Sequence, residues 1–332
     1  MPHIDSTTVL GRRSLLGLLV SAAPMASVMA QTASYPNRSI RFIVPYAAGG
    51  ATDVLARVTA DAMAKSIGQS IVIENRAGAG VILGSGLVAK APPDGYTLLI
   101  TTSAHSINQT LFRKLPYDSD KDFEPVAILG KVSFVLLVQP SLAVTDLKSF
   151  IELLRKNPGK YNFGSAGLGS PMHVGPELFK NISGTEATHI PYKGETAALN
   201  DLLGGHTAFM YASTATAAPH IKIGAVRPLA VTSLRRSPLL PNVPTMAELG
   251  FPAAETYSWI VLIAPAGTSR DIVDLLNREV GKALSSNEVR TRMAEFGFDV
   301  DSRLSPAETR EFIHAEAIKW APIVKASGAV TD

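Results

Sequence analysis

Short apolar, β-prone runs alternate with stretches of helical period from Ile40 to Pro265. That alternation restricts the chain to layered α/β architectures. Residues 40–46 read as a strand, 52–67 as an amphipathic helix closed by Gly68, and 70–74 as a second strand followed by a helix ending near Lys90. Pro92-Pro-Asp-Gly95 is a turn into a buried strand at 96–101. Two longer apolar runs, 127–140 and 257–265, are expected to be crossover strands that leave a first domain and return to it. Between them, strands at 161–164, 188–191, 208–211 and 227–232 alternate with helices near 146–156, 171–180 and 195–203. Thr245-Met-Ala-Glu248 and Ser305-Pro-Ala-Glu308 fit the capping-box pattern and predict helix starts, with further starts near Ser269 and Ser286. Phe312, Ile313, Ala317, Trp320 and Val324 recur at helical spacing, which marks a core stripe on the last helix. The expected plan is discontinuous. Residues 31–137 plus 258–332 form domain 1, residues 138–257 form domain 2, and a cleft lies between them.

Two glycine-rich strand-to-helix turns punctuate this plan, one in each half. The first runs Ile43-Val-Pro-Tyr-Ala-Ala-Gly-Gly-Ala-Thr-Asp53, the second Tyr161-Asn-Phe-Gly-Ser-Ala-Gly-Leu-Gly-Ser-Pro-Met-His173. Each offers backbone N–H groups, the positive end of a helix dipole, and small residues that let a ligand approach. Facing each other across a cleft, they would clamp an anion. In the first turn Gly49 and Gly50 give close approach, Thr52 a hydroxyl and Tyr46 a phenol. Asp53 either orients backbone amides or touches the ligand, since a carboxylate repels an anion. In the second, Ser165, Gly167, Gly169 and Ser170 supply donors and space, and Pro171 suits the first helical position. His173 either donates one hydrogen bond while neutral or is satisfied by its own helix start. Neither turn contains Arg or Lys. Lys193 is a cleft cation or a solvated loop lysine.

The chain contains no cysteine, which removes disulfides, thiolate metal sites and a lipid-modified cysteine. Residues 1–30 read as a signal peptide: Arg12 and Arg13, an apolar stretch over 14–23 too short to span a membrane, and Val28-Met-Ala30 before Gln31. Both the general secretory route and the twin-arginine route fit. An exported, untethered binder points to the periplasm of a Gram-negative bacterium. Beyond Ala30 the chain carries 29 basic and 27 acidic residues, too balanced for a nucleic-acid binder. Gly78-Ala-Gly80-Val-Ile-Leu-Gly84 is one residue too long for a dinucleotide fingerprint, and no acid ends the next strand. No phosphate-binding loop, nucleophile elbow or spaced histidine metal set is present. No catalytic residue, cofactor or metal is therefore expected.

At these residues the chain resembles the periplasmic substrate-binding receptors of tripartite tricarboxylate transporters, the Bug proteins. The matching stretches are Val44-Pro-Tyr-Ala-Ala-Gly-Gly-Ala-Thr-Asp53, Glu74-Asn-Arg-Ala-Gly-Ala-Gly80, Pro93-Asp-Gly-Tyr-Thr-Leu-Leu99, Ser165-Ala-Gly-Leu-Gly-Ser170 with His173, His189-Ile-Pro-Tyr-Lys-Gly194, Arg227-Pro-Leu-Ala-Val-Thr-Ser233 and Leu240-Pro-Asn-Val-Pro-Thr-Met-Ala-Glu-Leu-Gly250. The resemblance implies a type II periplasmic-binding-protein fold, two α/β lobes joined by crossover strands. It also implies a monomer that captures a small organic acid and delivers it to the membrane subunits of such a transporter. By position it assigns Tyr46, Ala47, Gly49, Gly50, Thr52 and Asp53 to the first ligand loop, and Ser165, Ala166, Gly167, Ser170 and His173 to the second. Thr102, Ser103, Tyr211, Ala212 and Ser213 become further walls. Many relatives carry aspartate where this chain has Ala212, so a partner for a ligand ammonium is expected to be missing there. A dicarboxylate or aromatic carboxylate is expected over an amino acid. A sensor component signalling to a membrane partner, or a periplasmic hydrolase in the same cleft, are the alternatives.

Overall fold

The computed structural model describes residues 35–300 and 304–326. The segment read as a signal peptide lies outside the described residues. The strands join into one sheet in the order β2-β1-β3-β9-β4-β7-β5-β6. These are β1 Ile40–Val44, β2 Ile71–Asn75, β3 Thr97–Thr102, β4 Phe123–Val138, β5 Asn162–Ser165, β6 Thr188–Pro191, β7 Phe209–Ser213 and β9 Tyr257–Pro265. Two more, β8 Arg227–Val231 and β10 Phe298–Asp299, also pair with β4.

On one flank β2, β1 and β3 are parallel, and on the other β7, β5 and β6 are parallel. The antiparallel strands β9 and β4 lie between. β4 is the element both flanks share. Residues 123–133 pair with β9, whereas residues 134–138 are held between β7 and β8. β9 pairs with β3 and β4 alone among the described strands, so a single long strand makes the passage from one flank to the other. Its composition explains this: from Val126 to Val138 nearly every side chain is buried, which suits a strand covered on both faces.

Each parallel strand hands over to a helix. α1 (Ala51–Ile67) follows β1 and packs Leu55, Ala56, Val58 and Met63 against the sheet. Gly68 ends it at φ 72°, donating its N–H to the Ala64 carbonyl at 3.0 Å, a conformation that favours glycine. α5 (Pro171–Ser183) follows β5, and α6 (Glu195–Leu203) follows β6. Two further helices begin at strand ends where the sequence pattern had suggested none: α3 (Ala104–Leu111) after β3 and α7 (Thr214–Lys222) after β7. α3 buries His105, Ser106 and Asn108 among Ala104, Ile107 and Leu111, so polar residues interrupt its apolar spacing. α7 buries only Thr214 and Ala217 and contains Pro219.

The capping box at Thr245 forms, with Glu248 N–H on Thr245 Oγ1 at 3.0 Å and Thr245 N–H on Glu248 Oε2 at 2.7 Å. No helix follows it. The chain makes one turn and is stopped by Gly250 at φ 89° and Pro252, which corrects the expectation of a helix there. The equivalent box at Ser305 does start a helix, α10 (Pro306–Ala326). Its stripe buries Ile313, Trp320 and Val324. Glu316, buried on the same helix, accepts from Trp259 Nε1 at 2.9 Å, Trp320 Nε1 at 3.1 Å and Tyr257 OH at 2.9 Å.

Replacing Glu316 by leucine leaves those donors without an acceptor, at about 1–3 kcal/mol for each orphaned group. Urea unfolding of Glu316→Leu is expected to show a loss of at least about 2 kcal/mol at unchanged m-value. A loss below about 0.5 kcal/mol contradicts this account.

Candidate functional site

A cavity of about 370 Å³ lies at the carboxyl ends of the parallel strands. Ligand sites in open α/β sheets gather at this edge because helix N-termini point there. The cavity is ringed by the N-terminal approaches of α1, α5, α6 and α7, with Thr102 at the end of β3 before α3. Its floor is apolar: Val132 and Phe134 from β4, Ile260 from β9 and Met172 from α5. A second cavity of about 430 Å³ shares Tyr46, Ala166, Ser170 and Lys193 with the first. The two glycine-rich turns thus meet at one hollow.

The first turn is held from behind by a buried carboxylate. Asp53 Oδ2 accepts from Gly49 N–H at 2.9 Å and Arg57 Nε at 3.0 Å, while Oδ1 accepts from Asn75 Nδ2 at 2.9 Å and Arg57 Nη2 at 3.1 Å. Asn75 Nδ2 also reaches the Tyr46 carbonyl at 3.0 Å. Burial works against the charge of Asp53, but the bonds from Arg57, Gly49 and Asn75 outweigh it and hold its carboxyl below the usual range. Of the two roles open to Asp53, the geometry displays the orienting one. The first N–H groups of α1 have no carbonyl partner within the helix and are offered at the cavity side. Tyr46 OH is within 2.6 Å of Thr102 Oγ1, and burial pushes its pKa up, so it stays a neutral hydroxyl.

The second turn is built differently, because most of its donors bond within it. Gly167 N–H donates to Ser165 Oγ at 3.1 Å, Gly169 N–H to His173 Nδ1 at 3.2 Å, and Ser170 N–H to the Gly167 carbonyl at 3.1 Å. Ser170 Oγ–H donates to that same carbonyl at 2.7 Å. His173 is therefore engaged by its own helix start. Its ring stacks on His189 at 3.8 Å between centroids, and His189 Nε2 lies 2.6 Å from Ser165 Oγ. Burial, then the nearby Lys180, lowers His173 to about 4. Burial, then His173 and Lys180, lowers His189 to about 3. Both imidazoles are neutral supports beneath the turn.

Of the residues singled out in the sequence, Tyr46, Ala47, Gly50, Thr52, Thr102, Ala166, Ser170 and Ser213 line the first cavity, and Gly167 lines the second. Gly49, Asp53, Ser103, Ser165, His173, Tyr211 and Ala212 line neither. Ser103, Tyr211 and Ala212 are fully buried in the layer behind. The sequence reading passed over the wall made by Gly194, Glu195 and Thr196 at the start of α6. Its signal was present: a strand, a glycine and a helix start, the same grammar as the two turns. Lys193 lines both cavities with an exposed side chain. Position 212 itself carries no carboxylate, but one arrives beside it from another element, at Glu195. Its carboxylate, arriving from α6, accepts from Ser213 N–H at 2.6 Å and Ser213 Oγ–H at 2.8 Å.

Among the described residues no cluster of His, Asp or Glu is arranged to hold a metal ion, and no helix is long and apolar enough to cross a membrane. Residues 55–329 match the family model described as the tripartite tricarboxylate transporter family receptor. Protein BugT of Bordetella pertussis is 39% identical over 319 residues, 95% of this chain and 97% of that protein. Among solved structures, Rpa4515 of R. palustris with adipate superposes at TM-score 0.84 with 37% identity, covering 89% of this chain and 98% of that one. MatC from Rhodopseudomonas palustris with bound malate gives TM-score 0.83 at 34% identity, covering 87% and 100%.

The buried histidines make stability depend on pH. Unfolded imidazoles titrate near about 6.5, so between there and the folded values the unfolded chain binds protons that the folded chain does not. Stability is expected to fall as pH drops from about 6.5 toward about 4. Urea midpoints should decline across that window, and a His173→Gln/His189→Gln variant should decline less steeply. Equal slopes for the two proteins contradict the assignment.

Proposed function

The chain belongs to the tripartite tricarboxylate transporter receptor family, and from that premise we propose that it captures a small carboxylate with an apolar body and passes it to the membrane subunits of such a transporter. Its fold is that of the type II periplasmic binding proteins, its family is periplasmic, and it is a non-enzymatic solute-binding protein. One observation carries the ligand class: a single hollow ringed by helix N-termini and hydroxyls, with a floor of Val132, Phe134, Ile260 and Met172.

A helix terminus contributes about 0.3–1 kcal/mol when exposed and up to ~2 kcal/mol when partly buried. A micromolar complex needs about 8 kcal/mol. Dipoles from several helices supply part of this. Charge-assisted hydrogen bonds from the first-turn amides and Thr52, at about 1.5–3 kcal/mol each, supply more. The apolar floor adds about 25 cal/mol per Å² of ligand surface covered. That combination suits an aromatic carboxylate or a dicarboxylate with a methylene chain. Adipate and malate are the ligands of the similar structures.

The limits of the lobes are proposed at residues 31–137 plus 258–332 and residues 138–257, so that closure bends the chain near where β4 changes partners. The two glycine-rich turns would then embrace the acid from opposite sides.

Calorimetry over a panel of aliphatic and aromatic mono- and dicarboxylates is expected to give at least one micromolar or tighter complex. Thr52→Val should weaken it by roughly 10- to 100-fold, the value of one charge-assisted hydrogen bond. Deleting the gene should reduce uptake of that acid. A protein that binds none of the panel, or an affinity indifferent to Thr52→Val, refutes the reading.

A further inference from the structure

Glu195 sits in the cavity wall, yet nothing in the proposed capture of a carboxylate uses it. It is the first residue of α6, opposite the first turn, and only 8% exposed. Among the described residues it makes no ion pair, not even with Lys193, which lines the same cavity. Its donors are Ser213, with the backbone N–H to Oε1 at 2.6 Å and the hydroxyl to Oε1 at 2.8 Å and Oε2 at 3.1 Å, and the hydroxyl of Thr216. The Ser213 hydroxyl has one proton and also lies 2.8 Å from Thr216 Oγ1, so it can serve only one of these acceptors at a time. Three donors against about four lone-pair sites leave the carboxylate with acceptor capacity unused, at the rim of a cavity. A buried, uncompensated carboxylate is costly unless a further donor reaches it.

We propose that Glu195 determines the specificity of the cleft: it accepts a hydrogen bond from an O–H or N–H group of the ligand, across the cavity from the carboxylate held by the first turn, and it repels a second carboxylate at that end. The proposal rests on the carboxylate-receptor reading and narrows it to acids that carry a hydrogen-bond donor, so that of the ligand classes named above the simple dicarboxylate is disfavoured. Three features favour the ionised, accepting form. The short 2.6 Å bond from Ser213 N–H has the length of a charge-assisted contact. The N-terminus of α6 stabilises negative charge at its first residue. No acceptor for a carboxyl proton other than Ser213 Oγ and Thr216 Oγ1 is seen, and the Ser213 backbone N–H can only donate. On balance burial raises the Glu195 pKa, against the opposing bonds from Ser213 and Thr216. Sites built around a buried acceptor reject analogues lacking the matching donor far more strongly than apolar pockets reject a missing methylene. A dianion brings like charges together where water is scarce.

Calorimetry on the full chain near neutral pH, with two matched series, tests this. The probes are hexanoate, 6-hydroxyhexanoate and adipate, and benzoate, 4-hydroxybenzoate and terephthalate. In whichever series binds, the hydroxy acid is expected to bind at least tenfold tighter than its parent, and the diacid to be the weakest. Glu195→Gln keeps the shape and the Ser213 contacts but removes the charge. It should raise the diacid at least tenfold relative to the hydroxy acid, with an unchanged circular dichroism spectrum and a cooperative unfolding transition. A wild-type protein that prefers the diacid, or a ranking that Glu195→Gln leaves unchanged, overturns the proposal while leaving the receptor reading intact. Failure of every acid in both series overturns both.

Discussion

The passage of β4 from one flank of the sheet to the other is the constraint on which the rest of the structure depends. One continuous strand pairs with β9 over residues 123–133 and is then held between β7 and β8 over residues 134–138. At that change of partners Val132 and Phe134 turn their side chains toward the cavity and become its floor. The parallel strands on either side then have their carboxyl ends brought to a common edge, and the helix that follows each strand starts there. The site is a consequence of that strand's path.

The two glycine-rich turns look alike in sequence and are built on opposite physical principles. The first leaves the opening N–H groups of α1 free and anchors its Gly49 amide on the turn's own Asp53, which is itself held by Arg57 and Asn75. Preorganisation of that kind lowers the cost of ordering donors around an anion. The second satisfies its own donors through Ser165, Ser170 and His173, and is braced by the stacked His173 and His189 rings. A turn whose N–H groups are already bonded contributes shape more than charge stabilisation. Its Gly169, at φ 75°, also lies so close to Asn108 and Leu111 that a Cβ would collide with both. The second turn is therefore fitted against α3 of the other flank. A glycine motif in a sequence does not distinguish these cases, because the difference lies in which side chain arrives from elsewhere.

Much of the fold was legible in the sequence because most elements bury one face with a clear period. β6 and α6 fall on the residues expected, and α1 differs by one residue at its start. What escaped was short or had polar residues mixed into its buried face. α3 buries histidine, serine and asparagine, and α7 is short and contains a proline. The capping box at Thr245 made its hydrogen bonds without a helix, since Gly250 and Pro252 stop the chain after one turn. At the site, the hydroxyls and glycines that end strands were found, because a turn is local. Residues whose place depends on packing behind the wall, such as Tyr211 and Ala212, could not be told from residues on its surface, since alternate residues of a strand face opposite ways.

The acid near position 212 shows how that limit bears on function. Reading along the chain, alanine in place of an aspartate removes a carboxylate from the end of β7. In space, the side chain of Ala212 lies within the sheet layer, and Ser213 beside it receives the carboxylate of Glu195 from α6. A carboxyl group at this corner of the cavity is thus supplied by a helix N-terminus rather than a strand end. The exchange is not neutral in energy. At the start of α6 the helix dipole and the Ser213 N–H both stabilise the charge, whereas an acid at 212 would sit in a layer where Ala212 is fully buried. Chemistry inferred from one position therefore has to be checked against every segment that the fold brings to the same corner, and here that check finds a carboxyl group the alanine alone does not announce.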